Sequence, residues 1–475
     1  MRLPTKNKVI KNLPRRAILL RGIASCAVAM LIAGSLEGAS TPVLAGGSDE
    51  RPNVLIIMTD DQRNMLKGMK QTRKIFKDRG RTFVNSYAAT PNCCPSRASV
   101  FSGRYSHNHG VENNQLVQDF DHGATLQRYL QDEGYRTGIF GKFLNGWDAR
   151  ENPPYFDRWA IHKFHSAVYY GGRYSVDGVM KNIGRYGTDF VSDKAVNFIE
   201  DSESSDSKPW LMYVTPNAPH EPAKPEEEYE DREFEMWPGN PAVYETDRSD
   251  KLPYVSSSNV SQEAMSSFRE RQLQTLLSVD DMVGRIFETM NRLNETRDTI
   301  AVFTSDNGYL WGEHGVRGKL LPYEHAVRIP LIVRAPGYLD PDSDDERLVV
   351  NIDIAPTILD AIGIQQDPDT PMDGKSLLDQ SWNRSRILLE YRNQESRGVP
   401  VDIPTWKGLR TETAAYTEYY DEFGVVTFRE YYDLITDPYE LENLLVDDNL
   451  ANDVAAEMLQ AELAIVKGCQ GSDCP

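Results

Sequence analysis

A chain of 475 residues, 40% hydrophobic and 26% charged, has room for a large α/β core plus a smaller appendage and an ordinary globular composition. Its net charge of −19 becomes about −25 once residues 1–45, with seven Lys/Arg against one acid, are set aside. A surface that acidic argues against nucleic acid as a partner, since phosphate backbones need Lys/Arg neutralisation. An anionic substrate would have to be met by a local basic pocket.

Residues 1–45 read as a secretory signal: a basic region through Arg21, the apolar run 22–34, then Val43-Leu44-Ala45 as a small-residue cleavage site. The apolar run is short for a span, so no stable membrane insertion is expected. Arg15-Arg16 resembles a twin-arginine signal, and Cys26 lies inside the apolar run, against a lipoprotein anchor. The protein is therefore expected to be exported: secreted, periplasmic or lysosomal according to its source. Cys469 and Cys474 could close a small loop or stay free.

Asn53-Val54-Leu55-Ile56-Ile57-Met58 is almost continuously apolar, the mark of a strand buried on both faces, and it ends in Thr59-Asp60-Asp61-Gln62. Acids at the carboxyl end of such a strand lie where open α/β sheets place ligands, although Asp also favours plain turns. A helix is expected over 69–78 and a strand over 82–87. Pro91-Asn92-Cys93-Cys94-Pro95-Ser96-Arg97 then opens a helix, with Pro95 in the first turn and residue 93 at the N-terminus. Helix 124–134 and strand 136–140 lead to Gly141-Lys142. Residues 148–185, aromatic and without clear period, read as long loops.

Helix 189–200 and strand 209–214 lead to the proline-rich turn carrying His220, and 221–250 reads as an irregular acidic excursion. Residues 262–293 carry helical periodicity with room for one break. Strand 299–304 ends in Ser305-Asp306-Asn307-Gly308; His314 and Lys319 follow, then strand 331–334 and helix 353–362. From Ser385 the pattern changes to strands 386–390, 409–420 and 425–433 and a helix over 451–466. The expected architecture is α/β: a large, mostly parallel mixed sheet sandwiched by helices over 46–384, and a smaller antiparallel subdomain over 385–475.

Asp60, Asp61, Asp306 and Asn307 offer oxygen donors from two strand ends 245 residues apart, a set suited to Ca²⁺ or Mg²⁺ and not to zinc. Arg97, Lys142, His220, His314 and Lys319 stand on other strand ends and loops. A cation ringed by basic groups is what a sulfate or phosphate ester requires, while scattered surface charges are the plain alternative.

Cys93-Cys94-Pro95-Ser96-Arg97 with Phe101-Ser102-Gly103-Arg104 resembles the signature of the type I sulfatases, relatives of alkaline phosphatase in fold. The stretches 52–61 and 304–308 match the metal motifs of that family, and Tyr432-Asp433-Leu434, Asp437-Pro438 and Asn443-Leu444 match its C-terminal tail. The resemblance implies hydrolysis of a sulfate ester on a carbohydrate or aryl substrate. It also implies oxidation of Cys93 to formylglycine by a maturating enzyme, and a Ca²⁺ (Mg²⁺ as the alternative) held by Asp60, Asp61, Asp306, Asn307 and residue 93. Arg97 would hold the aldehyde hydrate, and Lys142, His220 and Lys319 would contact the ester.

The chain departs from the family at Leu144, where Gly-Lys-x-His is common; Asn145, His220 or His314 would then supply the base. Gly-Lys-Phe-Leu-Asn, Cys-Cys-Pro-Ser-Arg and Tyr105-x-His107-Asn108-His109 look most like the N-acetylglucosamine-6-sulfatase and heparan endosulfatase branch. Two other readings stay open: a phosphonate monoester or phosphodiester hydrolase of the same fold, and a sulfated-glycan-binding protein whose Cys93 is never oxidised.

Overall fold

The computed structural model describes residues 51–205, 208–396, 399–447 and 449–475; the expected signal over 1–45 lies outside them. Ten strands form one sheet: β1 (Asn53–Thr59), β2 (Arg81–Tyr87), β3 (Arg136–Gly141), β4 (Arg158–His162), β5 (Arg173–Val176), β6 (Val179–Asn182), β7 (Trp210–Thr215), β8 (Thr299–Ser305), β9 (Leu331–Arg334) and β10 (Ser343–Val350). Their order is β10-β2-β9-β8-β1-β7-β3-β4-β5-β6. The five central strands β8, β1, β7, β3 and β4 are mutually parallel, and β9 and β5 run against their neighbours.

Every residue of β1, β7 and β8 is buried, because separate apolar cores cover the two faces of the sheet. Alternate residues of β1 divide between them: Val54, Ile56 and Met58 enter one core, Leu55 and Ile57 the other. The mixed, helix-flanked sheet expected from the sequence is present.

Three expectations change. Residues 148–185 are not all loop, since β4, β5 and β6 extend the sheet there. The helix Gln262–Leu293 runs unbroken for 32 residues and ends at Asn294 in the left-handed conformation. The stretch 409–420 is two strands joined by a tight turn. The small sheet orders β11 (Arg386–Tyr391), β12 (Thr405–Thr411), β13 (Ala414–Tyr420) and β14 (Val426–Asp433) as an antiparallel meander.

This small sheet shares a core with the large one: Tyr87, Leu348 and Val350 pack in the same cluster as Ile387, Trp406 and Tyr416. A polar knot adds to the junction. Glu390 on β11 accepts from Ser106 Oγ at 2.5 Å and His107 N at 3.1 Å, and pairs with Lys407 at 3.0 Å. His107 sets Nδ1 against Glu390 at 2.9 Å and Nε2 against the Cys469 carbonyl at 3.0 Å. Both neighbours accept, so the ring carries two protons; burial opposes this, and Glu390 outweighs burial and raises the His107 pKa. Cys469 and Cys474 are joined by a disulfide.

His109, in the same short helix Ser106–His109, is the opposite case. Nδ1 accepts from Val111 N at 3.1 Å and Nε2 faces Ser99 Oγ at 3.1 Å, which leaves one proton on a buried ring. Burial drives its pKa down to about 3, with Arg104 and His107 adding to the effect against Glu390. The unfolded ring binds a proton near its ordinary 6.5 and the folded ring does not, so this contribution to stability is complete above that pH and fades as pH falls below it. His109→Gln should therefore reduce the acid loss between pH 6.5 and 5 by up to about 1.4 kcal/mol per pH unit, read from denaturant midpoints. An unchanged pH slope would refute it.

Candidate active site

The parallel register of β1 with β8 sets Thr59 opposite Ser305, so the turns that follow bring Asp60, Asp61, Asp306 and Asn307 together. All four are nearly or fully buried. Asp61 N donates to Asp306 Oδ1 at 3.1 Å, and Asn307 Nδ2 donates to Asp61 Oδ1 at 2.8 Å. Asp61 has φ 72°, a left-handed conformation that a non-glycine residue adopts at a cost and that turns its carboxylate inward.

The helix Cys93–Ser102 meets this group with its first turn. Asn92 gives it no side-chain cap; Asn114 accepts from Cys94 N at 3.0 Å instead, and is itself tied to Asn92 at 2.7 Å and to Gln394 at 3.1 Å. Residues 93 and 97, one turn apart, share a face. Cys93 Sγ lies 3.6 Å from Asp60 Oδ1, and Arg97 Nε donates to Asp306 Oδ2 at 2.8 Å.

Cys94 points elsewhere. It packs in the core with Sγ at 3.7 Å from the Asn145 carbonyl, and burial pushes its thiol up to about 12. It is an inert, fully buried thiol.

β3 supplies Lys142, whose Nζ donates to Asp60 Oδ2 at 2.6 Å. Gly141 just before it has φ 120°, and a Cβ there would come within 2.0 Å of the Thr215 carbonyl on β7, so only glycine permits this exit from the sheet. His220 follows β7; its Nδ1 donates to the Glu221 carbonyl at 2.7 Å, leaving Nε2 turned toward Asp61 Oδ2 at 3.9 Å. Lys319 Nζ is bonded to Asp61 Oδ1, to Cys93 Sγ at 2.7 Å and to Asn307 Oδ1 at 3.3 Å.

Opposite charges set the protonation states. Burial alone would raise the Asp60 and Asp61 carboxyls; Lys142, His220 and Arg97 hold Asp60 far below the usual carboxylate range, and Lys319 and His220 lower Asp61. Burial would likewise discharge His220 and Lys319. Asp60 and Asp61 instead hold His220 at about 9, and Asp61, Cys93 and Asp306 hold Lys319 well above its ordinary value.

The donor set also fits a divalent cation. Asp60, Asp61 and Asp306 bring ligand oxygens within 4.8 Å of one another, and an ammonium group stands where Asp61, Asn307 and residue 93 converge. All donors except one are hard oxygens, as Ca²⁺ or Mg²⁺ prefers. The exception is the soft thiol of Cys93, and an oxygen at that position would remove the mismatch. Buried Arg97 Nη2 stands 3.9 Å from Asp60 Oδ2 and makes no hydrogen bond among the described residues, which suits it to such an oxygen or to an anion.

Of the residues expected at the site, His314 is not brought to this group. Its Nδ1 meets Glu245 at 2.8 Å and its ring lies on Tyr323, in a buried network behind the site. Leu144 packs in the core, and Asn145 beside it lines the cavity with a buried Oδ1 that accepts no hydrogen bond among the described residues. That cavity, of about 690 Å³, has Asp60, Lys142 and His220 in its lining with Asn114, Asn145, His162, Asn217 and Gln394. Sequence reasoning missed Asn114, His162, Asn217 and Gln394, whose only signal was amide or imidazole in loops of no period.

The family model described as sulfatase matches residues 52–364, and a second, N-sulphoglucosamine sulphohydrolase C-terminal, matches 312–467. The chain is 32% identical to the N-acetylglucosamine-6-sulfatase of Capra hircus, over 90% of this chain and 86% of that protein. The human N-acetylglucosamine-6-sulfatase is 31% identical over 96% and 91%. Among solved structures, a protein in complex with its substrate D-glucosamine-2-N,6-O-disulfate superposes with a TM-score of 0.76 at 23% identity, over 87% of this chain and 98% of that one. A phosphonate monoester hydrolase of Agrobacterium radiobacter shares the fold at TM-score 0.65 and 21% identity, over 87% and 95%. The chain belongs to the sulfatase family and is a sulfuric ester hydrolase.

Proposed function

We propose that the protein removes sulfate from a sulfated carbohydrate, with N-acetylglucosamine 6-sulfate of a glycosaminoglycan as the substrate class, using formylglycine made from Cys93 by a maturating enzyme and a bound Ca²⁺ or Mg²⁺. The observation that carries it is Cys93 at a buried helix N-terminus, within 2.7 Å of Lys319 and 3.6 Å of Asp60, which itself lines the cavity. The two relatives named N-acetylglucosamine-6-sulfatase, aligned over nine-tenths or more of this chain, support the sugar. Export through the segment 1–45 belongs to the same proposal.

When present, the cation and the aldehyde hydrate supply a positive anchor for a sulfate oxygen and an oxygen nucleophile. The chain's own groups do the rest. Asp60, Asp61, Asp306 and Asn307 hold the cation, and Arg97 positions the oxygen at 93. Lys142 and Lys319 neutralise the remaining sulfate oxygens, whose charge would otherwise repel a nucleophile. His220 Nε2, turned to the cavity by the Glu221 carbonyl, protonates the departing alcohol. Asn145, with its free Oδ1, takes the place beside Leu144 as a polar contact to the substrate and not as a base.

The test is sulfate release by the matured protein from N-acetylglucosamine 6-sulfate, with N-acetylglucosamine 3-sulfate and an aryl phosphodiester in parallel. Preference for the 6-sulfate is expected, and faster turnover of the phosphodiester would overturn the reading. The cation is tested apart from activity. EGTA or EDTA should lower the thermal midpoint, and restored Ca²⁺ or Mg²⁺ at about 100 times its Kd should return about 2.7 kcal/mol. An unchanged midpoint would refute a bound cation.

A further inference from the structure

Beside the first cavity lies a second, of about 550 Å³, lined by Trp147, Asp148, Arg150, Lys163, Phe164 and Arg173, among others. The two meet at two places. Phe164 lines both, and Asn145 of the first is followed directly by Gly146 of the second. Phe164 is 38% exposed and lies tilted against His165, with ring centroids 3.9 Å apart, where the two cavities adjoin.

The second cavity is basic in a protein of net charge −19. Its acid, Asp148, is engaged by Arg150 at 2.5 Å. Lys163 and Arg173, both exposed, form no ion pair among the described residues. They are held side by side, because Lys163 N donates to the Arg173 carbonyl at 2.8 Å where β4 runs out against β5. Trp147 is fixed by edge contacts to His122 and Phe143 and by its Nε1 bond to the Glu151 carbonyl at 3.2 Å. A fixed indole beside two exposed cations offers an apolar platform and paired charge, the features of a site for an anionic sugar.

We propose that this second cavity is a subsite for the neighbouring sugar of an oligosaccharide substrate, one that bears sulfate or carboxylate. Lys163 and Arg173 take the anion and Trp147 takes the ring. This rests on the carbohydrate reading of the first cavity and deepens it: the enzyme recognises its sulfated residue as part of an anionic chain. In a protein of net charge −19, a local basic patch of this kind is what draws an anionic chain to the site.

The experiment compares the matured wild-type protein with K163A/R173A, and with K163Q/R173Q as the milder variant. Three readouts are taken: binding of a heparin-derived tetrasaccharide, KM and kcat on N-acetylglucosamine 6-sulfate, and turnover of 4-nitrocatechol sulfate. The variants should bind the tetrasaccharide about 10- to 100-fold more weakly, and their binding should depend less on salt. Both small substrates should be turned over as before, which also reports intact folding. Unchanged tetrasaccharide affinity, or KM rising equally on the monosaccharide, overturns the subsite. A hyaluronan-derived tetrasaccharide, anionic through carboxylates alone, separates the two anion sources: weakening in its case as well assigns the site to uronate. If wild type ignores N-acetylglucosamine 6-sulfate, the sugar reading fails, and the tetrasaccharide arm still decides the subsite.

Discussion

Cys93→Ala is expected to lower turnover of any sulfate ester by at least about 10⁴-fold while leaving the fold in place. Cys93 is 2% exposed, and its polar contacts are to charged groups, Asp60 at 3.6 Å and Lys319 at 2.7 Å, so alanine removes no large packing surface. The loss should fall on kcat with tetrasaccharide binding retained, since Arg97, Lys142, His220 and the metal-site carboxylates all remain. Mass spectrometry of residues 88–104 from the wild type is the companion measurement: the aldehyde at position 93 is expected. A variant with near-normal turnover would sink the mechanism.

The second large effect lies in stability. Asp353, fully buried, grips both terminal nitrogens of Arg384, Nη2 at 2.6 Å, and also accepts from Val350 N at 2.9 Å and Lys375 N at 2.7 Å. Arg384 is 2% exposed and is further bonded through Nε to the Pro475 carbonyl at 2.9 Å. Asp353→Ala strands a buried guanidinium and should cost about 3–5 kcal/mol in denaturant unfolding. The double variant Asp353→Ala/Arg384→Met removes the stranded charge and should recover part of the loss, the remainder reflecting the two uncapped backbone amides. A loss below about 1 kcal/mol in the single variant would refute the account.

The chemistry of the site was readable because it sits where local patterns end. Asp60 and Asp306 terminate two apolar runs, and Cys93 and Arg97 are one helical turn apart. A strand buried on both faces and a helix start are signals a single sequence carries. His314 misled for the reverse reason. Its partner Glu245 comes from the excursion 221–250, which has no period to place it, so nothing in the sequence shows that the ring is turned away. The hairpin β12–β13 read as one strand because its turn, Glu412-Thr413, contains neither glycine nor proline. β10 begins Ser-Asp-Asp-Glu-Arg, a polar run tolerated because it is the edge of the sheet. The amide knot Asn92–Asn114–Gln394 spans 302 residues and depends on tertiary structure alone.

The burial of the helix Cys93–Ser102, every residue of it inside, bears on timing. On the proposed function, a maturating enzyme would have to reach Cys93 before the fold closes, since this helix is inaccessible afterwards. The site's floor closes only when β8 docks on β1 across some 245 positions, and His107 meets the Cys469 carbonyl across 362. Contacts that distant form late and slowly. On that proposal the length of those connections would set the interval in which residue 93 stays accessible, and variants that hasten closure of the C-terminal sheet should emerge with a larger unmodified fraction.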